Sequence, residues 1–203
     1  RYNETLAEWQ KAIELARKSK AKWGEMLGRF NRGKLLAELG QYEKALEEFQ
    51  EGERLSASLF QPAFNPIQIY TKYLAGMAMV KKKEYTDVIE FADRIMRLMN
   101  NENFDELHEN YYHLLMAEMY VSQGNVEAAI NALEQVTVDA EFFSPRYRVL
   151  LASSLSLAGK YDEAIEVYSN FKNAIDTSLY SLGDKVFYFL ERSKIDYSLA
   201  RIY

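Results

Sequence analysis

Apolar residues recur along this chain at intervals of three and four, the spacing that places side chains on one face of an α-helix. In residues 3–18, for example, Leu6, Trp9, Ile13 and Ala16 share one stripe. Glycine, proline and asparagine interrupt the periodic stretches and predict short connections between helices. The same periodicity predicts further helices at about 24–39, 42–56, 66–82, 85–99, 104–123, 126–136, 145–158, 161–175 and 184–203.

Four of the predicted connections resemble one another, and we call them corners. They are Gly40-Gln41-Tyr42, Lys83-Glu84-Tyr85, Gly124-Asn125-Val126 and Gly159-Lys160-Tyr161. Each corner is followed by a small or branched apolar residue and then, four positions later, by a second apolar or aromatic residue. These pairs are Ala45 and Phe49, Val88 and Ala92, Ala129 and Leu133, and Ala164 and Tyr168. Self-similarity at a period of roughly 35–43 residues indicates an array of stacked helix pairs.

The repeats resemble the tetratricopeptide family over nearly the whole chain. In that family the first helix of each pair carries large residues around a glycine or alanine, which lets the two helices approach closely. The second repeat departs from the pattern, because Lys83 replaces the corner glycine and Ala92 replaces the aromatic residue. The resemblance implies an all-α, right-handed superhelix of antiparallel helix pairs. The matching positions are Gly33 and Leu36; Ala75, Gly76 and Met79; Met116, Ala117 and Tyr120; Leu151, Ala152 and Leu155; and Leu199, Ala200 and Tyr203.

We expect one solenoid domain over residues 1–203. Because the pattern starts on a second helix and stops on a first helix, we also expect the chain to be a piece of a longer protein. Apolar faces at the ends of such a piece predict self-association, through Trp9 or through Ile195, Leu199 and Tyr203. The expected parts are a partial repeat at 1–22, full repeats at about 24–60, 66–101, 104–140 and 145–178, and a terminal helix at 184–203.

Composition narrows the possible partners. The net charge is −5, and the 25 basic and 30 acidic residues are spread along the chain, so we expect neither nucleic acid nor anionic lipid as a partner. The absence of cysteine excludes disulfides, thiolate zinc sites and a catalytic thiol.

The uncharged run at 55–71 contains Pro62 and Pro66 and predicts a linker rather than a membrane span. We find no signal peptide, and the compartment stays open, with the cytoplasm as the default expectation.

The first helices of such pairs generally line the concave side of a solenoid, which is the surface used for extended partners. The register therefore predicts a partly aromatic groove for a protein or peptide, in which aromatic side chains are anchors and cations bind carboxylates. The alternative is that the aromatic side chains pack on one another or on a flanking helix, and the sequence leaves both open. The predicted groove residues are Phe30, Lys34, Tyr70, Tyr73, Met77, Tyr111, Leu114, Arg146, Lys194 and Arg201.

No pattern of residues indicates catalysis or a bound metal. Glu109 and His113 have the spacing of two ligands on one helix face, but no third ligand is evident. Paired acids such as Glu47 and Glu48 have basic residues nearby and predict a solvated face. We therefore expect a non-catalytic interaction scaffold without a cofactor. The alternative is a sensor or regulatory module of a larger signalling protein, such as a kinase or transcription regulator, that binds a small peptide or its own catalytic domain.

Overall fold

The computed structural model describes residues 2–59, 66–101, 108–137 and 144–177, and within these ranges the chain forms nine α-helices and no strand. The all-α prediction is confirmed, and the bounds predicted at 42–56 and 66–82 agree residue for residue. The terminal helix predicted at 184–203 lies outside the described residues. The helices are α1 (Tyr2–Lys18), α2 (Lys22–Glu38), α3 (Tyr42–Ser56), α4 (Pro66–Lys82), α5 (Tyr85–Asn101), α6 (Asn110–Ser122), α7 (Val126–Leu133), α8 (Ser144–Leu157) and α9 (Tyr161–Thr177).

The helices belong to two compact units, Arg1–Leu115 and Met116–Tyr203, whose boundary falls within α6. In the first unit α1 packs on α2, α2 on α3, α3 on α4, and α4 on α5. In the second unit α7 packs on α8 and α8 on α9. In all of these pairs a helix packs on its neighbour in the chain, as expected of repeats that bury their apolar faces against one another. The repeat bounds and the single domain stay predictions.

The glycine corners end their helices in a common way. Gly40 has a φ of +74°, and the next residue, Gln41, donates its backbone N–H to the carbonyl oxygen of Leu36 at 2.9 Å. Gly124 and Gly159 repeat this geometry, with φ values of +76° and +78°. Glycine is favoured here because it has no Cβ to strain a left-handed backbone. The corner pattern seen in the sequence is therefore a set of helix-ending turns.

Two further corners adopt the same backbone without glycine. Lys83 has a φ of +63°, and Glu84 donates its N–H to the carbonyl oxygen of Met79 at 3.0 Å. Lys20, between α1 and α2, has a φ of +57°, and Ala21 bonds in the same way to Ala16 at 2.8 Å. A residue with a side chain pays roughly 1–2 kcal/mol for this conformation. Because Lys83 nevertheless adopts the same positive φ and the same hydrogen bond forms, its departure from glycine leaves the geometry of the corner intact.

Two phenylalanines join α2 to α3 by packing against glycines on the opposite helix. The Phe49 ring of α3 lies over Gly33 of α2, where a Cβ would come within 2.5 Å of its Cε1. The Phe30 ring of α2 lies over Gly52 of α3, where a Cβ would come within 2.4 Å. Both rings are buried. The close approach of α2 and α3 thus depends on both glycines.

Replacing Gly52 with alanine is expected to destabilise the first unit by about 1 kcal/mol. The added methyl group overlaps the buried Phe30 ring, and such overpacking costs about 1–3 kcal/mol. The better helix propensity of alanine returns up to about 1 kcal/mol. Urea unfolding followed by circular dichroism measures the net change. The matched control is Gly24→Ala in α2, whose new methyl group meets its nearest neighbour at an ordinary 3.5 Å and should leave stability unchanged or higher. Equal destabilisation by both changes contradicts the role of the Phe30 ring.

Candidate functional site

Four aromatic residues from three helices meet in the first unit, and we call them the aromatic cluster: Phe30 of α2, Tyr70 and Tyr73 of α4, and Tyr111 of α6. The edge of one ring faces the other in the Phe30–Tyr70 pair, at a centroid distance of 5.8 Å. The centroid of Tyr111 lies 5.6 Å from that of Tyr70 and 5.1 Å from that of Tyr73. These separations are favourable for aromatic pairs. The structure therefore brings together four of the predicted groove residues within this unit.

Burial differs sharply within the aromatic cluster. Phe30, Tyr73 and Tyr111 are 2%, 5% and 6% exposed, whereas Tyr70 is only half-buried. Burial, together with the neighbouring Tyr70 and Tyr73, raises the pKa of the Tyr111 hydroxyl far above its ordinary 10.0, so that this group stays neutral. The aromatic residues thus pack on one another, which is the alternative that the sequence left open. Direct contact of the buried members with a partner stays a prediction.

Charged side chains of α2 and α4 lie next to the aromatic cluster. The Lys34 Nζ lies 5.2 Å from the centroid of the Tyr70 ring, within reach of a cation–π interaction. One turn further along α2, Glu38 pairs with Lys81 of α4 at 3.0 Å. Lys34 and Tyr70 are both half-buried. We call the surface formed by Lys34, Glu38, Tyr70 and Lys81 the α2–α4 face, and its base is the aromatic cluster.

A chain of ion pairs lies elsewhere on α2. Glu25 accepts hydrogen bonds from Arg17 of α1 at 2.9 Å and from Arg29 at 3.2 Å. Glu48 of α3 accepts from Arg29 at 3.1 Å and also from Arg32. Burial by itself raises the pKa of Glu25, but the hydrogen bonds and charges of Arg17 and Arg29 outweigh it, so its pKa is lowered from 4.5. We call these five residues the α2 ion network.

The α2 ion network corrects one sequence prediction. The charge pattern predicts a solvated face for Glu48, but this residue is only 8% exposed. Its partners are 16 and 19 positions away in the chain, so local charge spacing cannot reveal them. Arg29 occupies the position where the family pattern has a large apolar residue, and that departure is the signal available in the sequence. Glu48 therefore helps to hold α3 on α2 instead of facing water.

Two family models match this chain. One, described as a tetratricopeptide repeat, matches residues 28–58, which cover most of α2 and all of α3. The other, described as anaphase-promoting complex, cyclosome, subunit 3, matches residues 81–171, from the end of α4 into α9. The chain is a tetratricopeptide repeat protein. No curated protein matches it at a significant level.

Tetratricopeptide repeats generally mediate protein–protein interaction, and their families are typically non-catalytic scaffolds.

Within the described part of this tetratricopeptide repeat protein, no three His, Cys, Asp or Glu side chains come together as metal ligands. The Nε2 atom of His113 lies 3.6 Å from the Oε1 atom of Glu109. Burial lowers the pKa of His113 from its ordinary 6.5, although the Glu109 carboxylate acts in the opposite direction. None of the described helices is long and apolar enough to cross a membrane.

The remaining predicted groove residues divide into two groups. Met77 of α4 and Leu114 of α6 are buried in the first unit. The side chain of Arg146 and the whole of Lys194 and Arg201 lie outside the described residues. Among the predicted site residues whose side chains the structure describes, the accessible members are Lys34 and Tyr70. Whether any of the ten residues contacts a partner stays a prediction.

Proposed function

We propose that this tetratricopeptide repeat protein is a non-catalytic scaffold that binds a peptide, a helix or a partner domain on the α2–α4 face. The observation that carries the proposal is the accessible Lys34–Tyr70 pair, in which Tyr70 packs on the buried rings of the aromatic cluster. Binding hot spots are enriched in tyrosine and lie where neighbouring contacts exclude water.

The buried part of the aromatic cluster favours binding by limiting motion. Phe30 and Tyr111 contact the Tyr70 ring from two helices, so a partner does not have to order that side chain when it binds. Immobilising a side chain at an interface costs about 0.5–1.5 kcal/mol, and a pre-positioned ring avoids most of that cost. The buried rings thus act through Tyr70 and need no contact with the partner.

The charges on the α2–α4 face add selectivity. Lys34 is half-buried, and its ammonium, which lies 5.2 Å from the centroid of the Tyr70 ring, can also bind a carboxylate of the partner. Glu38 and Lys81 neutralise one another further along the same face. The face therefore combines one cation and one aromatic ring next to a neutral ion pair, a pattern that favours an apolar segment with an adjacent acidic group.

Site-specific photo-crosslinking tests this proposal. A photoreactive amino acid placed at Lys34 or Tyr70 should capture the partner in a lysate of the source cell, whereas the same amino acid at Ile89 should not. Ile89 is a suitable control because it is an exposed apolar residue of α5 in the same unit. The combined change Lys34→Ala and Tyr70→Ala should then weaken binding of the captured protein at least about tenfold.

The control substitution is Ile89→Ala, which should leave that affinity unchanged. Circular dichroism of each variant verifies that the helices remain folded. Equal capture from positions 34, 70 and 89, or equal affinity of the two variants, contradicts the assignment of the α2–α4 face.

The match of residues 81–171 to a family described as a subunit of the anaphase-promoting complex supports a scaffold within a multi-protein assembly over the regulatory-module alternative. Recovery of several co-assembled proteins in the crosslinking experiment is the result expected of such a scaffold. Recovery of only a small peptide, or of a kinase or transcription-regulator domain, favours the alternative.

A further inference from the structure

Two large apolar side chains are exposed together at the start of α2. Trp23 is 49% exposed and Leu27 is 41% exposed, and they lie one helical turn apart on one face. Single exposed apolar residues are normal on protein surfaces, whereas adjacent ones bordered by charges are typical of interaction sites. Lys34 lies two turns further along the same face, so this pair is separate from the Lys34–Tyr70 pair.

The same part of the chain has a strong local excess of positive charge. Residues 17–34 contain seven lysines and arginines and only one acid, Glu25, although the whole protein has a net charge of −5. Glu25 is already bonded to Arg17 and Arg29. Its carboxylate therefore cannot neutralise the lysines that precede Trp23.

Three of these cations lie next to the apolar pair. Lys18, Lys20 and Lys22 are exposed at the corner between α1 and α2, and none of the ion pairs among the described residues includes them. The corner itself is held by the hydrogen bond from Ala21 to Ala16 at 2.8 Å. It therefore presents its charges from a defined backbone.

We propose that Lys18, Lys20, Lys22, Trp23 and Leu27, which we call the basic corner, bind an acidic peptide segment that carries two apolar side chains. The apolar side chains of the peptide pack on Trp23 and Leu27, and its carboxylates pair with the lysines. Charge complementarity identifies the occupant, because the corner is positive on a protein that is otherwise acidic. The proposal rests on the proposed binding role but concerns different residues.

A peptide fits the basic corner better than a polyanion does. Three lysines on one corner match a few carboxylates, and at physiological salt their field extends only about 8 Å. A nucleic acid or an anionic membrane would also bring negative charge close to the acidic remainder of the protein, which repels it. Binding to anionic vesicles is therefore an outcome that counts against the proposal.

Selection from a displayed library of random dodecapeptides on the immobilised chain tests the proposal before the natural partner is identified. The enriched peptides should be acidic and should contain a pair of large apolar residues. Affinities of the synthesised peptides, measured by fluorescence anisotropy, should fall at least about tenfold in the variant Trp23→Ala with Leu27→Ala, and similarly in Lys20→Glu with Lys22→Glu. The affinities of these peptides for the unaltered protein should also decrease when the salt concentration is raised from about 0.05 M to about 0.5 M.

Matched controls exist on the same unit. Leu15→Ala with Ile89→Ala removes two other exposed apolar side chains, and Lys11→Glu with Lys44→Glu reverses two exposed lysines outside the basic corner. Both control variants should bind the peptides as the unaltered protein does. Circular dichroism of all four variants verifies that each remains folded.

The proposal is overturned if no peptide is enriched, if enriched peptides are neutral or basic, or if all variants bind them equally. It is also overturned if phosphatidylserine vesicles bind the chain and the selected peptides do not displace them. Failure here is distinguishable from failure of the proposed function, because crosslinking from Lys34 and Tyr70 reports on the α2–α4 face alone.

Discussion

Replacing Phe30 with alanine is expected to lower the free energy of unfolding of the first unit by about 3–5 kcal/mol. The ring packs against Gly52 of α3 and meets Tyr70 of α4 at 5.8 Å, so its removal leaves a cavity where three helices meet. Backbone at Gly52 has no side chain that could turn into this space. Urea unfolding followed by circular dichroism measures the loss.

Two other changes calibrate the result at Phe30. Leu15→Ala removes a side chain that is mostly exposed and should change stability by less than about 0.5 kcal/mol. Tyr70→Ala should fall between the two, because this ring is half-buried. If Phe30→Ala is as stable as the unaltered protein but no longer binds the partner, the ring is a binding anchor. The packing role assigned to it between the helices is then wrong.

The helices of this protein were largely predictable because their signals are local. Apolar periodicity and a glycine at three corners mark where helices begin and end, and both are read within a few residues. The corner at Lys20 carries no such signal, because it adopts a positive φ without glycine. The backbone at Lys83 and Lys20 shows that hydrogen bonds to the preceding helix can impose this turn on an unfavourable residue.

The candidate site was only partly predictable, because burial depends on helices that are distant in the chain. Register assigned Phe30, Tyr70, Tyr73 and Tyr111 to the first helices of their pairs, and the structure brings these four rings together. Register cannot show which rings another helix covers, and in the structure Tyr111 of α6 packs against Tyr73 of α4. The sequence therefore named the members of the aromatic cluster as candidates for a groove but could not show which of them are accessible.

The α2 ion network was not predictable for a related reason. Arg17 and Glu25 belong to different helices, and Glu48 contacts α2 only after α3 folds back on it. In the sequence, Glu47 and Glu48 look equivalent, but only Glu48 is buried. Helix periodicity distinguishes their faces, yet charge alone favours water for both. The hydrogen bonds that Glu48 accepts from Arg29 and Arg32 explain why its carboxylate is tolerated there.

Replacing Glu48 with glutamine is expected to destabilise the first unit by about 2–3 kcal/mol. The neutral amide can no longer balance Arg29 and Arg32, and removal of one partner from a buried ion pair costs about 3–5 kcal/mol. The lower value applies because Arg29 keeps its bond to Glu25 and the Arg32 side chain is 26% exposed. Urea unfolding again provides the measurement. The control is Glu51→Gln, which removes an exposed pair with Arg54 and should cost at most about 1 kcal/mol.

A second substitution tests whether the loss at Glu48 comes from uncompensated charge. Arg32→Gln by itself should also destabilise the unit, because Glu48 then loses a donor. When both changes are combined, the loss should be smaller than the sum of the two single losses. In the double variant both members of the pair are neutral, so neither is left as a charge without its partner. Strict additivity would mean that Glu48 and Arg32 act independently, in which case only the pair of Glu48 with Arg29 could hold α3 on α2. A coupling of about 1 kcal/mol or more would instead show that the two charges act as a pair across the interface between these helices.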